Sequence, residues 1–195
     1  MLAPLAELPE HNNMKREIRT TLASLVAVMA VSASANATNT ITFHGEVTDQ
    51  TCSAVINGGT DPTVILDSVP LSALNGAVGN TAGEGIFTLT LTGCAASDAG
   101  ETFTTLFQAT NPTATGNLTN TASAGAEGVA LQLLDAPAGT PVNLAGGAAV
   151  EAGQIVLAAD ETTATHDYAV RYIAESATVK PGPVLGSVTY TIRYE

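Results

Sequence analysis

The sequence predicts an all-β sandwich, on three observations. The last fourteen residues, Gly182 to Glu195, read G-P-V-L-G-S-V-T-Y-T-I-R-Y-E, and from Val188 they alternate strictly. Val188, Tyr190, Ile192 and Tyr194 point one way; Thr189, Thr191, Arg193 and Glu195 point the other. A period of two marks a strand with one buried face. Second, Val, Thr, Ala and Gly dominate a chain of 195 residues with 4% aromatic content and no Trp, which suits many short strands and small turns. Third, short alternating runs recur along the chain, separated by turn residues.

The first segment is a secretion signal. Lys15, Arg16 and Arg19 supply a basic region, Leu22 to Val31 an apolar stretch too short to span a bilayer, and Ala35-Asn36-Ala37 a small-x-small cleavage site. Residues 1–13 carry Glu7 and Glu10 but no Lys or Arg, so the true start is expected at Met14, the signal at 1–37 and the mature chain from Thr38. That mature chain retains only Arg171, Lys180 and Arg193 as strong cations. With a formal charge of −12 it has no basic patch to neutralise phosphates, so nucleic acid is excluded as a partner.

Thr38–Thr51 is again a period-two segment. Ile41, Phe43, Gly45 and Val47 share one face, with a glycine in the middle of the apolar row. Glycine weakens a strand unless another backbone or a crowded pocket comes close there. Cys52 and Cys94 follow, the only cysteines. An even count in an exported chain argues for a disulfide. Closing that loop of about 43 residues is worth about 4 kcal/mol in chain entropy. There is no C-x-x-C, and a two-cysteine metal site would need partners that the isolated His44 and His166 do not provide.

Strands are also expected at Thr63–Leu66, Thr102–Ala109, Gly128–Asp135, Ile155–Leu157 and His166–Ala174, with loops over 75–85 and 113–126. In the terminal strand, four apolar side chains would contribute roughly 6–12 kcal/mol if fully buried, at about 1.5–3 each. A chain end normally frays, so a terminal strand this committed should lie in a groove and finish a sheet.

No motif for chemistry is present. G-x-S-x-G, S-x-x-K, H-E-x-x-H, an EF-hand loop and a P-loop are all absent, and Asp49, Asp160 and Glu161 read as surface charge rather than a paired-acid site. An enzyme, a metal and a cofactor are therefore not expected.

Five segments together resemble the pilins of the chaperone–usher pathway, the subunits of type 1 and P fimbriae. They are the Tyr194 and Gly182 positions of the tail, T-I-T-F-H-G-E-V-T-D-Q-T-C over 40–52, F-T-L-T-L-T-G-C over 87–94, G-V-A-L-Q-L-L-D over 128–135 and Y-A-V-R-Y-I-A over 168–174. They occur in the family's order across nearly all of 40–195.

The resemblance implies an incomplete immunoglobulin-like β-sandwich over 49–195, its last strand supplied by a partner, and an N-terminal donor-strand arm over 38–48. It implies the Cys52–Cys94 disulfide, a groove beside Val188–Tyr194, and three kinds of partner: a periplasmic chaperone, an outer-membrane usher and neighbouring pilin subunits. In such proteins the C-terminal carboxylate, here that of Glu195, is gripped by a basic residue of the chaperone. The destination implied is a surface fimbrium. Asn117-Leu118-Thr119 matches a glycosylation sequon, which means little in the bacterial setting the resemblance implies. Other readings are a minor, adaptor or tip-associated pilin, and a self-contained secreted binding sandwich. Stability of the monomer without a chaperone would mark the last of these.

Overall fold

The structure is a computed structural model, and it describes residues 52–60 and 62–195. Eight strands are described: β1 (Ser53–Ile56), β2 (Thr81–Thr92), β3 (Glu101–Gln108), β4 (Leu118–Thr119), β5 (Val129–Leu134), β6 (Val150–Leu157), β7 (Thr163–Ala174) and β8 (Thr189–Tyr194). A single helical turn, α1 (Leu71–Leu74), precedes β2. One sheet has the order β1-β2-β7-β5-β4 and the other β6-β3-β8, and every pairing between these strands is antiparallel.

The inner faces of the two sheets meet in one core. Phe87, Leu89 and Leu91 of β2, Leu131 and Leu133 of β5 and Tyr168 and Val170 of β7 come from the larger sheet; Phe103, Phe107, Ile155 and Leu157 come from the smaller. The residues within each strand set are spaced by two or four, as a pleat with one inward face requires. Tyr168 sits at the centre. Its ring lies 5.6 Å from Phe87 and 5.0 Å from Phe107, and its hydroxyl donates to the Ala152 carbonyl of β6 at 2.9 Å. One side chain thus joins the sheets by both packing and a hydrogen bond. Burial pushes its phenol up to about 12.

Most predicted strands are present, with bounds that differ by one to five residues. β6 reaches back to Val150 rather than starting at Ile155, because Glu151, Gly153 and Gln154 occupy its outward and bulged positions and hide the alternation. β2 begins at Thr81 inside the expected loop, and its first residues, T-A-G-E-G, carry a register shift between Ala82 and Gly85. The expected loop over 113–126 is partly interior: Asn117 is 4% and Leu118 5% exposed, and Leu118–Thr119 is the short β4. The sequon asparagine is therefore folded away.

The expected strand at Thr63–Leu66 is corrected. The segment alternates, with Ile65 88% exposed between the half-buried Val64 and Leu66, but it forms no ladder. Two causes are visible. Pro62 and Pro70 bracket it and donate no N–H. The neighbouring stretch of β2 is its bulge, where Leu66 packs over Gly85 and Val69 over Gly83, positions at which any side chain would collide with them.

Candidate subunit-binding groove

β8 is positioned by its pairing with β3, from Gln108↔Thr189 to Phe103↔Tyr194. Thr189, Thr191 and Arg193 face solvent, while Tyr190, Ile192 and Tyr194 turn towards the core. The expected inward face is thus present, but it is half-buried rather than buried: every inward residue of β8, and Val188 before it, remains partly exposed. The reason is the strand's place. It is an edge of the three-stranded sheet, and among the described residues no strand pairs with its other side.

The opposite sheet ends on the same flank. β1 is the edge of the five-stranded sheet, and Tyr190 reaches across to it, its hydroxyl donating to the Ala54 carbonyl at 3.4 Å. The two edges bound the candidate groove. Its floor is apolar: Tyr194 packs edge-on to the buried Phe103, with ring centroids 5.1 Å apart, and Val184, Val188 and Ile192 rest on the core. Cys52 and Cys94 are joined in a disulfide. This bond continues the ladder past Ser53↔Thr92 and fastens the root of β1, the lip that has a neighbour on one side only.

Gly182 lies outside β8, in the irregular approach to it. A Cβ there would stand 2.6 Å from the backbone nitrogen of Ala126 and 2.7 Å from the carbonyl carbon of Gly125. Backbone cannot give way as a side chain can, so only glycine fits. The approach is held by Ala126 N–H to the Pro183 carbonyl, Thr121 N–H to the Leu185 carbonyl and Leu185 N–H to Asn120 Oδ1. These bonds anchor the chain just ahead of the strand.

The outward face of β8 carries a polar cluster that the sequence did not announce. Arg193 donates to Glu151 of β6 at 2.6 Å and to the side chain of Glu195 at 3.1 Å. Thr104 of β3 donates to the same Glu195 carboxylate, and Gln154 of β6 reaches it at 3.5 Å. The hydrogen bonds from Thr104 and Arg193 hold this carboxyl below its usual range. Thr104, although on the outer face, is only 4% exposed. Thr104, Glu151 and Gln154 could be recognised only from the strand register.

Ile41, Phe43, Gly45 and Val47, with the arm over 38–48, lie outside the described residues, as does the 1–37 segment. Among the described residues no cluster of His, Cys, Asp and Glu is placed to hold a metal, and no helix is long and apolar enough to cross a membrane.

Comparison with known proteins agrees with this architecture. Residues 41–195 match the fimbrial protein family. The chain is 35% identical over 175 residues to the F17 fimbrial protein of Escherichia coli, covering 88% of this chain and 95% of that protein. It is 38% identical over 175 residues to the major fimbrial subunit SMF-1 of Stenotrophomonas maltophilia (strain K279a), covering 87% and 99%. Among solved structures it resembles a Burkholderia pseudomallei antigen and type I fimbria protein, with a TM-score of 0.51, 28% identity, and coverage of 74% of this chain and 99% of that one. An all-β chain of two antiparallel sheets, matched over this span, belongs to the fimbrial protein family, whose members are structural subunits and not enzymes.

Proposed function

We propose that this fimbrial subunit polymerises by donor-strand exchange through the chaperone–usher pathway. The observation that carries the reading is β8: an edge strand with a half-buried apolar face and, among the described residues, no second strand partner. Such an edge is a template for strand addition, in which main-chain hydrogen bonds supply affinity and alternate side chains fill pockets. A periplasmic chaperone lends a strand to the groove. At the outer-membrane usher the arm of the next subunit, Thr38–Thr48, replaces it. Ile41, Phe43 and Val47 then fill the groove beside Val188–Tyr194, with Gly45 at its tightest point. Head-to-tail contacts that do not close generate a filament. Export uses the 1–37 segment, with cleavage after Ala37, and the filament is displayed at the cell surface.

The test joins Thr38–Thr48 to the C-terminus through a flexible linker, in a subunit whose own N-terminal arm has been removed. The expected product is a soluble monomer that folds without a chaperone. The same armless subunit lacking the appended strand should aggregate or be degraded. If the unappended form is an equally soluble monomer with the same unfolding midpoint, the groove needs no strand and the reading fails.

A further inference from the structure

We propose that Asn57-Gly58, the tip of the hairpin that closes β1, is a modification site: the Asn57 side-chain amide is lost to water through a succinimide, and the isoaspartate left in its place loosens β1 beside the candidate groove.

The sequence holds two Asn-Gly pairs, Asn57-Gly58 and Asn75-Gly76, and both asparagines are exposed. The structure tells them apart. Ile56 and Gly59 exchange both main-chain hydrogen bonds, at 2.8 and 2.9 Å, so Asn57 and Gly58 are the central residues of a tight turn, with φ of 47° and 81°. Positive φ at both central positions is the turn that Asn-Gly favours. The Gly58 N–H has no acceptor among the described residues, and a Cβ added at Gly58 would meet nothing within 4 Å. The nitrogen that must attack is therefore uncommitted and unshielded. At the second pair, the Gly76 N–H donates to the Ala177 carbonyl at 2.9 Å.

The group under attack is held as well. The Asn57 N–H donates to the Thr88 carbonyl at 3.0 Å, and Asn57 Oδ1 accepts from the Thr88 N–H at 2.9 Å. That second donor points at the oxygen that gains negative charge when a nucleophile adds to Cγ. Asn75 Oδ1 has a comparable donor in the Val179 N–H at 3.1 Å, so the difference between the pairs rests on the nucleophile.

In the reaction, Gly58 N bonds to Asn57 Cγ and gives its proton to hydroxide. The Cγ–Nδ2 bond breaks, and ammonia leaves with a proton from water. A second water then opens the cyclic imide. Opening at Cγ gives aspartate; opening at the main-chain carbonyl gives isoaspartate, in which the chain runs on through Cβ and Cγ. In sum, one amide and one water become one carboxylic acid and ammonia. Isoaspartate lengthens the main chain by one carbon between Ile56 and Gly59, so the tight turn cannot keep both of its closing bonds. β1 has four residues and a strand on one side only, so little else holds this end.

The experiment keeps the purified full-length protein folded in mildly alkaline buffer, beside a sample in denaturant. Peptides over both pairs are followed by mass and by enzymatic methylation of isoaspartate. In the folded protein Asn57 should react about tenfold faster than Asn75, the factor lost when Gly76 must first give up one hydrogen bond of about 1.4 kcal/mol. In denaturant the two rates should converge. Amide exchange over Ser53–Ile56 should quicken as isoaspartate accumulates, and should stay constant with time in Asn57→Ser. Equal rates in the folded protein, or a faster Asn75, would overturn the assignment of the site. Isoaspartate at Asn57 with unchanged exchange over β1 would overturn its effect on that edge.

Discussion

β5 and β8 are both six-residue strands, and their environments are opposite. Val129–Leu134 lies between β7 and β4, and all six of its residues are buried, including Gln132. Thr189–Tyr194 has β3 on one side only, and its residues alternate between exposed and half-buried. The difference lies in where the remaining interactions are found. β5 draws every partner from its own chain; even its polar residue is bonded, Gln132 donating to Asn117 at 3.3 Å and accepting twice from Arg171. β8 keeps the same kind of apolar face incompletely covered. A fully covered strand serves stability, whereas the half-covered one in the same sandwich is the surface on which the proposed strand addition would act.

The sharpest way to break this comparison is to truncate both strands. Leu133, 2% exposed, should lose about 2–5 kcal/mol on Leu133→Ala, the range for buried leucines. Ile192→Ala should cost about 1 kcal/mol in an uncomplemented subunit refolded from urea at high dilution, where aggregation is slow, because its side chain is already partly in water. In the strand-complemented form its cost should rise towards that of Leu133. Urea unfolding of the two variants and their parent, each with and without the added strand, measures this. Equal costs for Ile192→Ala with and without the added strand would mean that the groove face gains no cover.

Gly182→Val sharpens the comparison at the approach to β8. Overpacking against the backbone of Gly125 and Ala126 should cost about 1–3 kcal/mol and should weaken chaperone capture with it. Gly186→Val meets side chains of Leu131 and Leu118 instead, which can yield, and should cost less. Thermal unfolding of the two variants separates rigid from yielding neighbours, and a reversed order would remove the backbone argument.

How much of this was legible in the sequence depended on what each residue's role required. The alternation at Val188–Tyr194 revealed the strand and its inward face, because a period of two is local information. It did not reveal that the face is only half-covered, since cover is a property of neighbours. Likewise the cysteine count pointed to the disulfide, whereas Thr104 beside Glu195 depended on the pairing Thr104↔Arg193 across 89 residues of sequence. Thr63–Leu66 misled for a related reason: its own pattern is strand-like, but the bulged, glycine-containing edge of β2 offers it no ladder.

Tyr168→Phe probes the joint between the sheets with a smaller effect. It removes the hydroxyl that donates to Ala152 while keeping the ring stack, at a cost of about 1 kcal/mol. The alkaline limb offers a separate check. The folded phenol is raised from 10.0 to about 12, so the protonated form is favoured by folding. That stability is fully present below pH 10 and is lost as pH rises towards 12. The variant should lack this component of the alkaline decline. Identical decline in both proteins over that window would place the titration elsewhere.

An effect of similar size distinguishes two carboxylates, Glu175 beside the large sheet and Glu195 beside the edge. Burial pushes the Glu175 carboxyl up, but hydrogen bonds from Thr115 at 2.6 Å, Asn117 at 2.7 Å and Thr113 at 3.0 Å outweigh it and hold the group below 4.5. Its bonds tie the 113–117 segment to the network that runs through Gln132 to Arg171. A lowered folded pKa means that the contribution is fully present above the unfolded value and disappears as pH falls through the folded one. Glu175→Gln should therefore cost about 1 kcal/mol at pH 7, and the gap to wild type should narrow below pH 4.5. Glu195 titrates in both proteins, so its own acid loss cancels from the difference. Urea midpoints of the strand-complemented pair at pH 7 and pH 3 measure the gap. If it stays constant, the three donors are not holding a charge at Glu175, and the large sheet's polar cover is neutral packing rather than an anchored carboxylate.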